Sequence, residues 1–134
     1  MKKLIALFLT IAIFSSCLNN RDDINFKFEI LPIESYTVPA FFTYQQKDTI
    51  TIKYNLPGIC YNFDNIYYEY QDTARIVAVR SYIDLDVACG NVSIPKEYKL
   101  IINARQREDY VFKFYKGKDT NDKSIFEEVV VPVN

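Results

Sequence analysis

Across residues 49–56 apolar and polar side chains alternate without a break. Ile50, Ile52, Tyr54 and Leu56 fall on one face, with Thr49, Thr51, Lys53 and Asn55 on the other. A two-residue period is what a half-buried strand requires, and Pro57-Gly58 predicts the turn that ends it. The same period sets Ile24, Phe26, Phe28 and Ile30 against Asn25, Lys27 and Glu29. Pro32 ends that strand, and residues 33–38 read as its continuation at a sheet edge, crossing between sheets. Further strands are expected at 66–70, 74–83, 96–103, 110–114 and 125–133, with Tyr98, Leu100 and Ile102 inward and Tyr110, Phe112 and Phe114 sharing a face. Ile76-Val77-Ala78-Val79 is apolar on both faces, which places it in the middle of a sheet.

No segment holds a helical period. Seven to eight short strands with regular turns predict an all-β domain over residues 24–134, a single antiparallel β-sandwich, with a small closed barrel as the alternative. Tyr110 in Asp109-Tyr110-Val111-Phe112 stands where immunoglobulin-like folds place a corner tyrosine. On that strand the domain resembles the broad immunoglobulin- or fibronectin-like class, and the resemblance implies an immunoglobulin-like sandwich. It does not extend to antibody domains, because the chain lacks tryptophan and has Phe112 where they have a cysteine.

Ahead of the domain the pattern changes. Lys2 and Lys3 precede an apolar run, Leu4 to Phe14, followed by Ser15, Ser16 and Cys17. A basic start, a short apolar middle and small residues at the cut site define a secretory signal. The run falls short of the about 20 apolar residues that span a bilayer. Phe14-Ser15-Ser16-Cys17 resembles the lipobox of bacterial lipoproteins. The resemblance implies removal of residues 1–16, lipidation of Cys17, and a membrane anchor through that residue. The tether, residues 18–23, reaches at most about 20 Å, so the domain is expected close to the membrane. Its Asp22-Asp23 pair looks like the acidic segment of some outer-membrane lipoproteins; a plain solvated linker reads equally well. The expected location is the cell envelope, lipid-anchored at the outer membrane.

Composition narrows the chemistry. Without Lys2 and Lys3 the mature chain carries fourteen basic and seventeen acidic residues, a net charge near −3, which argues against a nucleic-acid partner. The chain has no histidine, so Ser-His and Cys-His nucleophile pairs are excluded. Of three cysteines, Cys17 is the odd one, leaving Cys60 and Cys89 as a disulfide of an exported protein or as two separate thiols.

The candidate binding residues are aromatic. Phe41, Phe42 and Tyr44 beside Tyr36 lie in a segment with no clean inward face, and Tyr67 falls opposite Tyr68 and Tyr70 on its strand. Projecting tyrosines give contact area and a hydroxyl at low entropic cost, suited to a protein or glycan partner. Glu34, Glu69 and Asp72 are the carboxylates a small hydrolase would draw on. Asp84, Asp86, Asp119, Asn121 and Asp122 complete no known calcium loop, and neither metal nor cofactor is expected. The expected function is a non-catalytic binding or structural module; a carboxylate-dependent hydrolase and a barrel carrying an apolar ligand are the alternatives.

Overall fold

The computed structural model describes residues 25–134, so the signal segment, Cys17, the tether and Ile24 lie outside the described residues. Eight strands follow in order: β1 (Phe26–Leu31), β2 (Ile33–Thr37), β3 (Lys47–Gly58), β4 (Tyr61–Gln71), β5 (Ala74–Asp84), β6 (Asn91–Asn103), β7 (Tyr110–Lys118) and β8 (Ser124–Val131). They form two open sheets, a five-stranded one containing β1, β4, β5, β7 and β8, and a three-stranded one in the order β2-β3-β6. The fold is an all-β sandwich.

β5 organises the larger sheet. β4 pairs along one edge of it from Tyr61↔Ile83 to Gln71↔Ala74. The other edge is divided, with β1 against residues 79–84 and β7 against residues 74–77. The exchange falls at Pro32, which has no N–H to donate to the ladder. There the chain leaves β5 and re-enters as β2 against β3, so the expected crossing between sheets is made. The β5–β7 pair is parallel, the one departure among the named strand pairings from the antiparallel expectation. Its cause is β6, which runs back in the opposite sheet and supplies the crossover a parallel pair needs.

The core lies between the sheets. Ile50, Ile52, Tyr54 and Leu56 of β3 are buried, as their alternation requires, and they face Val77, Val79, Phe112 and Phe114. Tyr110, Phe112 and Phe114 stack in sequence at 6.0 Å between centroids, and Tyr36 extends the ladder onto Phe114 at 3.9 Å. The Tyr110 hydroxyl accepts the backbone N–H of Arg105 at 3.0 Å, the contact a corner tyrosine makes to the chain a few residues upstream.

Several strands differ from their expected reading: β3 continues through Pro57-Gly58 instead of turning there, β6 begins at Asn91 rather than Lys96, and β7 runs on to Lys118. β4 begins at Tyr61 rather than Ile66, because a bulge between Phe63 and Asn65 interrupts the alternation. Tyr61 and Phe63 pack on the core before the bulge, Ile66 and Tyr68 after it, so the inward positions change from odd to even. In β1 the apolar stripe points outward. Phe26, Phe28 and Ile30 are exposed while Leu31 is buried.

The disulfide joins Cys60 to Cys89, with Cα atoms 4.9 Å apart. It closes the end of β3 and the start of β4 onto the loop before β6. Gly58 makes room for it: a Cβ there would lie 2.8 Å from both Cys89 Sγ and the Gly90 carbonyl oxygen.

Candidate functional site

The outward stripe of β1 does not stand alone. Cross-strand neighbours share a face, so Phe26, Phe28 and Ile30 lie beside Asp84, Tyr82 and Arg80 of β5. Phe26 meets Phe28 edge-on at 5.1 Å and Tyr82 at 6.2 Å. The Arg80 guanidinium sits 4.9 Å from the centre of the Phe28 ring and pairs with Asp64. Further along the face, Ile30, Tyr67, Ile76, Tyr115 and Phe126 line a hollow of about 270 Å³. A second, of about 300 Å³, is lined by Phe26, Phe28, Asp64 and Tyr82.

The outer face of the five-stranded sheet thus carries aromatic side chains from all five strands. Phe26, Phe28, Tyr67 and Phe126 are 43, 49, 38 and 39% exposed. Single exposed apolar residues need no explanation, but a contiguous run of them marks a contact surface. Tyr67 donates its hydroxyl hydrogen to Glu69 on the same strand, and Arg80 and Asp64 supply fixed charge. Such a mix of aromatic area and paired charge suits a protein contact.

Only Tyr67 of the candidate aromatics belongs to this face. The expected patch of Tyr36, Phe41, Phe42 and Tyr44 is not assembled. Phe42 is fully buried, packed edge-on against Tyr110 and Phe112 at 5.1 and 6.1 Å. Its backbone holds the chain end, with Phe42 N–H donating to Pro132 O and Asn134 N–H donating to Phe42 O, both at 2.8 Å. Phe42 is therefore a core residue, and its neighbour Phe41 projects into solvent. Tyr44 lies under the Arg107 guanidinium, 4.4 Å away.

Tyr36 joins the sheets. Its hydroxyl donates to Glu127 Oε1 at 2.9 Å, while Lys116 Nζ lies 3.6 Å from Glu127 Oε2 and donates to the Glu34 carbonyl at 2.8 Å. Burial first, then the Glu127 hydrogen bond and charge, push the Tyr36 phenol up to about 12. Burial also carries Tyr68 to about 12, against the lowering effect of Arg75. Phenols of the unfolded chain ionise near pH 10. Above that pH the unfolded chain releases protons that the folded chain keeps, so stability falls between about pH 10 and 12. Urea midpoints should hold steady to about pH 9 and then drop steeply. A midpoint still constant at about pH 11.5 would contradict these phenol environments.

The other candidates stay apart. Glu34 lies on β2, Glu69 on the outer face of β4 and Asp72 in the turn before β5, and Glu34 and Glu69 line separate hollows. Asp84 and Asp119 cap their own turns, accepting backbone N–H groups of Asp86, and of Asn121 and Lys123, respectively. Among the described residues no three His, Cys, Asp or Glu side chains gather at one point. The outer aromatic face was partly legible in β1, whose stripe was visible but whose direction was not.

The class these observations define is a two-sheet β-sandwich with an aromatic outer face. No family model, curated protein or solved structure matches the chain.

Proposed function

We infer that the protein is a lipid-anchored module of the bacterial cell envelope, held through Cys17 at the outer membrane, which binds a protein partner without catalysing a reaction. The observation that carries the partner assignment is the aromatic outer face of the five-stranded sheet. It presents Phe26, Phe28, Ile30 and Tyr67 to solvent beside a fixed Arg80–Asp64 pair. Phe, Tyr and Arg are the residues in which protein interfaces are enriched. The lipobox-like Phe14-Ser15-Ser16-Cys17 supports the anchor.

Two acyl chains exceed the marginal grip of one, at about 0.8 kcal/mol per buried methylene. Cys17→Ser should therefore move the protein from the membrane to the soluble fraction. Membrane association that persists and still needs detergent to break would refute the anchor. For the partner, a photo-crosslinking residue at Phe28 or Tyr67 in intact cells should capture one and the same protein. The same probe at Ile101, exposed on the smaller sheet, should not. Capture of lipid alone from Phe28 would make the face a membrane contact, and equal capture from all three positions would remove it as a specific surface.

A further inference from the structure

Between edge strands β4 and β6 the two sheets part at one end. At the other end of that flank Phe63 stacks on Tyr98 at 5.2 Å and closes the gap. At the open end lies a cavity of about 480 Å³, lined by Tyr68, Tyr70, Arg75, Ile102, Gln106 and Tyr110 among others. Small-molecule sites run from about 300 to 1,000 Å³.

Arg75 is the anomaly in it. The register pairs it with Tyr70 on β4, and its position two residues before Val77 turns it inward. It is only 4% exposed. Its guanidinium lies 4.1 Å from the centre of the Tyr110 ring and 5.1 Å from that of Tyr70. Among the described residues three ion pairs form, Arg80–Asp64, Lys116–Glu127 and Lys118–Asp122, and Arg75 is in none of them. Glu108 and Asp109 in the adjoining loop offer backbone carbonyls to Gln106 Nε2, not carboxylates to Arg75.

The donor count makes the same point. A guanidinium has five N–H groups and no acceptor. Two are used, Nη1 to the Thr73 carbonyl and Nη2 to Gln106 Oε1, and the Tyr68 hydroxyl lies within reach of the guanidinium. Nε is buried with no partner. The two tyrosine faces offset part of the charge, but a buried cation with no carboxylate and incomplete hydrogen bonding is still costly to keep. A planar fork with free N–H groups is the geometry that grips a carboxylate. The domain as a whole is acidic, so this attraction is local rather than part of a basic surface.

The rest of the lining selects the body of the ligand. Tyr70 is 67% exposed and meets Tyr68 edge-on at 5.8 Å, leaving aromatic surface at the mouth of the cavity. Asn103 and Gln106 add polar side chains to the lining. An aromatic surface with amides and phenols around it suits a pyranose, which has apolar faces and a hydroxyl rim. We propose that the Arg75 cavity binds a carboxylate-bearing sugar, the carboxylate seated on the remaining Nη N–H groups of Arg75 and the ring against Tyr70. This site is separate from the outer aromatic face, and either can fail without the other.

The test is thermal denaturation of purified full-length protein at fixed ionic strength, with D-glucuronate, D-glucose, acetate and inorganic phosphate as probes. Glucuronate should raise the melting temperature saturably, by about 10 °C at about fifty times its dissociation constant. Glucose, acetate and phosphate should each bind at least about tenfold more weakly, since each lacks the carboxylate or the ring. Arg75→Met, which removes a buried charge that has no carboxylate partner, should fold and lose the glucuronate response; Tyr70→Ala should weaken it several-fold and leave acetate unchanged. No glucuronate response would overturn the site, as would equal responses to glucuronate and glucose. A match by acetate or phosphate, or an indifferent Tyr70→Ala, would overturn the sugar assignment. Should Arg75→Met fail to fold, the four-probe comparison on the unaltered protein still decides.

Discussion

Phe42→Ala is expected to cost about 3–5 kcal/mol of stability, while Phe41→Ala one residue away should stay within about 0.5 kcal/mol. Phe42 is fully buried against Tyr110 and Phe112, and Phe41 is 47% exposed. Truncation at Phe42 removes the ring packed edge-on against the aromatic ladder of β7 and leaves a cavity that the backbone around it resists closing. The Phe42–Pro132 and Asn134–Phe42 hydrogen bonds hold that segment to the chain end. For a domain of this size about 4 kcal/mol corresponds to roughly 15–20 °C in melting temperature. The measurement is a pair of urea or thermal melts, one per variant. Equal losses for the two residues would mean that Phe42 does not occupy the core.

Replacing both bridge cysteines, Cys60→Ser with Cys89→Ser, should lower stability by about 3.5 kcal/mol, or roughly 15 °C. The bridge spans 29 residues, and opening it returns the entropy of that loop to the unfolded chain. A single domain holds about 5–15 kcal/mol in all, so the loss is a large fraction. Cys60 is buried and Cys89 exposed, so Cys60→Ser adds the burial of a hydroxyl. Cys89→Ser alone leaves Cys60 as a buried thiol, which packs as a small apolar side chain. It should therefore show the loop contribution nearly unmixed. A reduced, alkylated protein melting within about 2 °C of the oxidised one would show that the bridge constrains little.

How far the fold was legible follows the same physics strand by strand. β3 and the later part of β6 could be read because one face of each is buried and the other solvated, so burial imposes a strict two-residue period, while β7 showed the period through its buried aromatic face. β5 could be read as central because Val77 and Val79 meet the core while Ile76 and Ala78 lie beneath the outer aromatic side chains. β4 was shortened because its bulge at Asp64 reverses the inward parity, and a phase break looks like the end of a strand. The hydrogen bond from Arg105 N–H to the Tyr110 hydroxyl joins residues five apart in sequence.

What the sequence determined by itself is therefore the set of local facts: an all-β domain, its strand periods, the candidate cysteine pair, a signal-like start and the absence of histidine chemistry. Alternation tells which residues share a face, but not whether that face meets the core or the solvent. That is why the stripe of β1 could turn outward and Phe42 inward. The tertiary structure alone decided the direction of each face, the parallel meeting of β5 with β7, and the isolation of Arg75 without a carboxylate. Each depends on contacts between residues distant in sequence, and the free energy of those contacts is set by the other sheet, not by the strand's own pattern.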